Sequence, residues 1–488
     1  MDPVTLTLAR RYADERKRDI RTSGFPFPSD LIAFWDFTEE GPPYYAKAGV
    51  DSFPLVVGGG NPQRVSGDPF GGGLRFNGTS DFLIIPKERV GALRVARSSD
   101  EVTVVAWIKH LGYPTASHFV AGIWQENNND PRRQYALFDS LPKYGGQNRV
   151  CGHISKTGGP SPGLPYSRDY SASGDVIPPN VIQFTGFTYD GNVIKSYRDG
   201  ICDSYTSYTE PEPPKGQGLT YDKNPYAFDL GLNAKEPPGD FTVGAVLLTG
   251  GWSNFFQGEL YGLAVFRRAL SHEEMLKLHL DSKLPGEPVY FFGMDSPNGS
   301  LNPKFTPVYH FGWRRAAGPS AQDPTQIEGS WRFGLLAPGA QPFVFNATDD
   351  AYNPQTTEYQ VLEKTGLKGP RIGQISRITF DMNNKGGISY VKFCICVDGV
   401  WYATADDYSH PGGSTSGSNW STKVTHELTV SRAKDNWLEL NYVHGQVLSL
   451  GGTPASDLPN GNITGIALLS LPMPDDSIIR VTNIRVYR

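Results

Sequence analysis

Glu101-Val102-Thr103-Val104-Val105-Ala106-Trp107-Ile108-Lys109 decides the fold class, because six of its seven inner residues are β-branched or aromatic and a charge closes each end. Such a run reads as a β-strand. Working outward, similar short runs recur on both sides. Leu31 to Phe37, Leu74 to Gly78 and Asp81 to Pro86 precede it, the second pair joined around Asn77-Gly78. His118 to Trp124, Tyr135 to Asp139 and Arg149 to Ser155 follow. Val181 to Tyr189 ends at Asp190-Gly191 and Asn192 to Arg198 at Asp199-Gly200, two dipeptides suited to tight hairpin turns. Phe241 to Leu248 and Gly258 to Phe266 complete the pattern, while 156–180 and 209–240 are Pro/Gly-rich stretches read as long loops. After the last strand, Ser271-His272-Glu273-Glu274 fits a capping box, with Met275, Leu276 and Leu280 giving the helix an apolar side.

The composition agrees with this grammar. Among 488 residues there are 55 Gly and 39 Pro, aromatics make up 12% and charged residues only 19%. That excludes a coiled coil, a collagen and a highly charged disordered chain. A net charge of −5 gives no general electrostatic reason to bind nucleic acid or anionic lipid. No apolar run approaches the roughly 18 residues needed to cross a bilayer.

Several of these pieces carry a resemblance. Phe34-Trp35-Asp36-Phe37, Phe76-Asn77-Gly78 with Asp81-Phe82, the Val104 to Ile108 strand, Thr188-Tyr189-Asp190-Gly191 and Tyr197-Arg198-Asp199-Gly200 are similar to the laminin-G/concanavalin-A-like jelly-roll family. The finish, Phe256-Gln257-Gly258-Glu259-Leu260 and then Val265 to Ser271 with its helix, is the most specific part. The likeness spans about residues 30–282 and implies a β-sandwich. One departure is that the family has a Trp shortly before its Thr-Tyr-Asp-Gly turn, where this chain reads Val181-Ile182-Gln183-Phe184.

Leu284-Pro285-Gly286-Glu287-Pro288 reads as a linker, and a fresh set of strands follows: Ser330 to Leu336, Ile375 to Met382, Tyr390 to Val397, Val400 to Tyr402, Trp437 to Tyr442, Ile463 to Leu471 and Ile478 to Tyr487. The Val-Asp-Gly-Val-Trp-Tyr element and the closing strands resemble carbohydrate-binding-module-like jelly rolls. The expected organisation is all-β: an N-terminal attachment or oligomerisation helix in 1–24, a first β-sandwich over 25–284 and a second over 285–488.

Residues 3–20 place Leu6, Ala9 and Ala13 on one stripe of a helix and Arg10, Arg11, Lys17 and Arg18 on its other faces. The segment is similar to short N-terminal helices of phage tail and virion proteins. It lacks the apolar core of a signal peptide, so the expectation is a homo-oligomeric virion-surface protein contacting neighbouring virion proteins. The alternative is an extracellular bacterial surface protein whose leader has been removed. Of four cysteines, Cys394 and Cys396 stand two apart on one strand, a poor geometry for bonding each other. Cys151 and Cys202 read either as a pair or as buried thiols.

Motifs for catalysis fail on inspection. His272-Glu273 and His426-Glu427 lack a second histidine four positions on, at Leu276 and Val430. Gly159-Pro160-Ser161-Pro162-Gly163 matches a nucleophile elbow only formally, with prolines around the serine. Glu210 and Glu212 alternate, but within a Pro-rich stretch rather than a strand. The expectation is a non-catalytic protein that binds a surface glycan, the alternative a glycoside hydrolase or lyase. Sugars present apolar ring faces and hydroxyls, which aromatic rings beside amides and charged groups can match. The candidates are Trp124, Asn127 and Arg133 in one loop, Tyr166 with Tyr170 in the long loop, and Trp252 with Asn254. In the second half they are Trp313 and Trp420, with Tyr352 and Trp401 also weighed. Asp36, Glu39, Asp51 and Asp81 are the oxygen donors at the end where relatives hold calcium, and they read better as isolated surface carboxylates than as a metal site.

Overall fold

The computed structural model describes residues 25–488 apart from 68, 98, 113, 115, 128–129, 162–166, 210–218, 284–286, 293–305, 308–312, 318, 321–331, 335–342, 348–358, 386–389, 411–423 and 472–477. The chain divides into two compact units, Met1–Pro285 and Gly286–Arg488. Each is built of β-sheets, and the described residues are almost all strand, turn and irregular structure. The N-terminal helix expected over 3–20 lies outside the described residues.

In the first unit one sheet runs in the order Tyr226–Ala227, Val193–Arg198, Gln183–Tyr189, Val102–His110, Gln257–Phe266, Leu31–Trp35, Ala48–Gly49, with Gly73–Asn77 and Gln63–Val65 continuing from Gln257–Phe266. The other runs Tyr170–Ala172, Cys151–Ile154, Tyr135–Ser140, His118–Ile123, Phe241–Val243, Phe82–Ile85, Val56–Gly59. Alternation along Val102–His110 explains its composition. Val102, Val104, Ala106 and Ile108 face the core between the sheets, where Trp35, Leu137 and Phe241 also sit. Val105 and Trp107 belong to a second cluster on the outer face with Phe34, Phe70, Met275 and Leu278. A strand covered on both sides is apolar along most of its length, and the polar exceptions here are bonded: Thr103 Oγ1 donates to Arg268 O (2.7 Å), Lys109 pairs with Glu259 (2.7 Å) and His110 pairs with Asp139.

That outer cover is the helix His272–Ser282, whose predicted capping box is formed. Glu274 N donates to Ser271 Oγ (3.3 Å) and Ser271 N to Glu274 Oε2 (2.8 Å), a cap of the kind worth about 1 kcal/mol. Trp107 Nε1 donates to Ser282 Oγ (2.8 Å), tying the helix to the sheet. The hairpin turn at Asp199-Gly200 uses left-handed backbone at both residues (φ 52° and 75°), which an Asp-Gly pair tolerates with little strain.

The long stretches read as loops contain more structure than their composition suggested. Tyr205–Thr209 and Leu219–Asn224 form a hairpin, Tyr170–Ala172 is the edge strand of the second sheet, and Tyr226–Ala227 joins the first. Tyr and Thr in these segments supply strand propensity that the neighbouring prolines obscure.

The second unit has one sheet ordered Thr306–Pro307, Arg332–Gly334, Phe343–Ala347, Ile478–Tyr487, Arg377–Lys385, Val424–Thr429, with Pro288–Phe292 also pairing with Ile478–Tyr487. The other is ordered Arg314–Ala317, Gln360–Thr365, Ile463–Ser470, Tyr390–Val397, Val400–Thr404, Trp437–Val443, Val447–Leu450. Phe380 and Phe393, one from each sheet, stack at 5.8 Å. The Asp398-Gly399 hairpin forms as its dipeptide requires, with φ 47° and 90°. All four cysteines are buried free thiols, so Cys151 and Cys202 are not paired.

Candidate functional site

The second sheet of the first unit turns one face to the core and carries a separate apolar cluster on the other. Phe119, Ala136, Phe138, Cys151, Tyr170 and Ala172 alternate with core residues along their strands and are joined by Trp124, Tyr144 and Val246 from the connections. A pocket of about 370 Å³ opens over this face. Phe138, His153 and Tyr170 line it from three adjacent strands, with Ser117, Leu141, Lys143, Glu126, Ser167, Leu248 and Asn254 contributed by the surrounding connections.

His153 is the unusual member. It is 4% exposed, and neither ring nitrogen has a hydrogen-bond partner among the described residues. Its ring lies 4.3 Å from that of Trp124, 5.2 Å from Tyr170 and 6.0 Å from Phe138. Burial pushes its pKa well below the usual histidine value, and the positive charges of Arg133 and Lys223 push the same way. The imidazole is therefore neutral, with one nitrogen able to donate and the other to accept. A buried polar group left unpaired is costly, and both nitrogens are themselves closed off from solvent, so the ring contributes its packing to the pocket floor at a cost in stability.

The walls are fixed by their own bonds. Glu126 accepts from Trp124 Nε1 at Oε1 (2.7 Å) and pairs through Oε2 with Arg133 Nη2 (3.0 Å), while Arg133 Nη1 donates to Ser167 Oγ (3.1 Å). Tyr170 donates its hydroxyl to the Lys143 carbonyl, and the Lys223 ammonium, 3.2 Å from the Tyr170 ring centroid, donates to the Tyr170 carbonyl (2.7 Å). The hairpin Val246–Leu248/Gly251–Ser253 is anchored by Glu126 N donating to Leu247 O (2.8 Å) and by Phe119 N donating to Asn254 O (2.9 Å).

These positions revise several sequence expectations. Trp124 and Arg133 are not an exposed platform: they are 2% and 5% exposed and buttress the pocket from behind its lining. The Trp124 indole is apolar enough to be drawn under the hairpin once Glu126 satisfies its N–H. Asn127 closes a turn by accepting from Asp130 N (3.0 Å) and does not line the pocket. Trp252 is half-buried against Phe82 (4.1 Å between centroids) and is likewise not a lining residue, whereas Asn254 is. Trp313 is 1% exposed, which removes it as a surface platform in the second unit. Trp401 is core, as its hairpin position suggested. Tyr166, Trp420, Tyr352, Glu210 and Glu212 lie outside the described residues. Sequence reading missed His153 altogether; its signal is a histidine among apolar neighbours at an outward position of the Arg149 to Ser155 strand.

The calcium donors are also differently placed. Asp36 and Asp81 are buried rather than on the surface. Asp81 accepts from the backbone N–H groups of Asn61 (2.8 Å) and Asn77 (2.9 Å), and Asp36 from Thr38 Oγ1 (2.7 Å), so both act as turn clamps. Glu39 pairs with Lys47 (2.5 Å). Among the described residues no group of three or more His, Cys, Asp or Glu could hold a metal ion. Ser161 accepts from Arg168 N (3.0 Å) and donates to Asp169, so its hydroxyl is occupied in tying down a loop.

A scan against protein families and a search of curated proteins each find no match. Among solved structures, the chain is similar to domain 4 of AbnA, a GH43 extracellular arabinanase from Geobacillus stearothermophilus solved with arabinotriose, at 16% identity and TM-score 0.34 over 51% of this chain and 98% of that one. A mutant Trypanosoma rangeli sialidase displaying trans-sialidase activity is similar at 15% identity and TM-score 0.33, over 57% and 38% of the two chains. The Ruminococcus gnavus IT-sialidase CBM40 is similar at 15% identity and TM-score 0.28, over 44% and 97%.

Proposed function

We propose that the first unit is a non-catalytic glycan-binding domain whose ligand enters the pocket over His153. The observation that carries this reading is a pocket floored by Phe138, His153 and Tyr170 and lined by the polar side chains Ser117, Glu126, Ser167 and Asn254. A sugar's C–H faces pack on aromatic rings and its hydroxyls both donate and accept, so a sugar matches the floor and the polar lining at once. The volume, about 370 Å³, is in the range of small-molecule sites. Among the described lining residues Glu126 is the one carboxylate, and it is already held by Trp124 and Arg133. That supports retention of a sugar over hydrolysis by a carboxylate pair.

The test is glycan-array binding followed by calorimetry on the best glycan. Asn254→Gly is the informative variant, because Asn254 sits at φ 54° and glycine keeps that backbone while removing the amide. A loss of affinity of about tenfold with an unchanged melting profile is expected, as for one hydrogen bond to a ligand. New reducing ends appearing during incubation would instead favour a polysaccharide-degrading enzyme.

The proposal extends to context: several copies displayed on a virion surface, held together through the basic amphipathic stretch 3–20, since weak sugar binding gains strength from multivalency. Light scattering of the full chain against a chain beginning at Gly24 checks it. An oligomer that becomes monomeric on truncation is expected, and a monomer in both forms would end this part of the proposal.

A further inference from the structure

The shape of the pocket narrows the ligand class, on the assumption that the glycan-binding reading holds. The floor, Phe138, His153 and Tyr170, is bordered at one end of its strands by Ala116, Ser117 and the turn Leu141-Pro142-Lys143. At the opposite end stand Glu126 and Ser167. One flank is the hairpin bearing Leu248, with Asn254 just beyond it. On the other flank the hairpin Tyr205–Thr209/Leu219–Asn224 packs Tyr205 against the outer-face cluster and sets Lys223 over Tyr170. Bonds link these borders to the floor or to each other: Tyr170 to Lys143, Arg133 bridging Glu126 and Ser167, Phe119 to Asn254, and Glu126 to Leu247.

A polysaccharide bound along its length needs a groove open at two ends, so that the chain can enter and leave. Here both strand ends and the flank bearing Leu248 carry walls, so no straight run along the strands is open at both ends, and the volume suits roughly one or two sugar rings. We infer that the pocket takes the terminal sugar unit of a glycan end-on, with its hydroxyls met by the lining side chains Ser117, Glu126, Ser167 and Asn254, and excludes internal stretches of a chain. Recognition then depends on the number of chain ends and not on chain length.

The experiment is titration calorimetry of the full-length protein with methyl glycosides of galactose, glucose, mannose and N-acetylglucosamine. For the sugar that responds, the series continues with its di-, tri- and hexasaccharides and its high-polymer form before and after partial acid hydrolysis. The expected result is an affinity per chain that changes less than about threefold from disaccharide to hexasaccharide, and a capacity of the polymer that rises with the number of ends at constant sugar mass. Leu248→Trp, at a half-buried wall position, should abolish binding of the methyl glycoside with the fold intact by circular dichroism. An affinity that climbs tenfold or more up to the hexasaccharide overturns end-on binding and leaves glycan binding standing. No response to any sugar, or a response indifferent to both Leu248→Trp and Asn254→Gly, overturns glycan binding at this pocket and the inference with it.

Discussion

His153→Phe is expected to make the protein more stable. The imidazole is 4% exposed with both nitrogens unpaired, and its ring is flanked by Trp124, Tyr170 and Phe138. Phenylalanine keeps the ring packing and removes an unsatisfied buried polar group, a relief of about 1–3 kcal/mol. The gain should grow in acid. The folded-state pKa of His153 lies well below 6.5, driven by burial and then by the charges on Arg133 and Lys223. Above pH 6.5 the imidazole is neutral whether the chain is folded or not, and contributes no pH dependence. As the pH falls below 6.5 the unfolded chain takes up a proton that the folded chain refuses, so wild-type stability declines by up to about 1.4 kcal/mol per pH unit from this group until its folded pKa is reached. Burial lowers His118 and His426 in the same direction, and these act equally in wild type and variant. Urea midpoints at pH 7.5 and 5.0 test it. A variant less stable than wild type at both pH values would contradict the reading of His153 as a buried polar group held at a cost to stability.

Trp35→Ala should be the most destabilising substitution in the first unit's core. Trp35 is fully buried, stacks on Phe241 across the two sheets at 5.7 Å, and donates its indole N–H to Phe53 O (3.0 Å). Truncation opens a cavity between the sheets and orphans a buried carbonyl, a loss of about 3–5 kcal/mol. The urea midpoint of the first unit should fall accordingly, and a shift equivalent to less than 1 kcal/mol would mean that the sheets re-pack around the vacancy. Trp35→Phe, which keeps a stacked ring, should recover much of the loss.

How far sequence could be read differs between the frame and the site, for identifiable reasons. Val102–His110 and Gln257–Phe266 were legible because each is apolar on both faces, and the helix because Ser271 and Glu274 stand three apart. The strand Tyr170–Ala172 and the hairpin Tyr205–Thr209/Leu219–Asn224 were hidden by flanking prolines and glycines, whose local signal is stronger than the few Tyr and Thr residues of such short strands can offset. At the site, Trp124 was noticed for its chemistry and misplaced, because exposure depends on whether the distant hairpin around Leu247 covers it. His153 escaped because an outward-facing strand position reads as solvent-exposed unless later segments fold over it. Tyr170 was noticed as a loop ornament and turns out to be part of the floor. Local pattern sets strands and caps; which outer face becomes a pocket is decided by contacts between segments distant in sequence, such as Phe119 with Asn254 and Glu126 with Leu247.

The four buried thiols have a consequence for chemistry in the cell. Cys151 and Cys394 are fully enclosed, and burial raises their pKa far above the ordinary thiol range; Cys396 is raised for the same reason. A thiolate is the species that oxidants, electrophiles and disulfide-exchange partners attack, so the folded molecule withholds its sulfur from all three. Neither unit relies on a covalent cross-link to stay folded, and neither offers a nucleophile to an oxidising exterior. The thiols therefore stay reduced in reducing and oxidising solution alike for as long as the cores around them stay closed. The same enclosure makes each cysteine a tell-tale: modification at Cys151 registers opening of the first unit, and modification at Cys394 or Cys396 registers opening of the second.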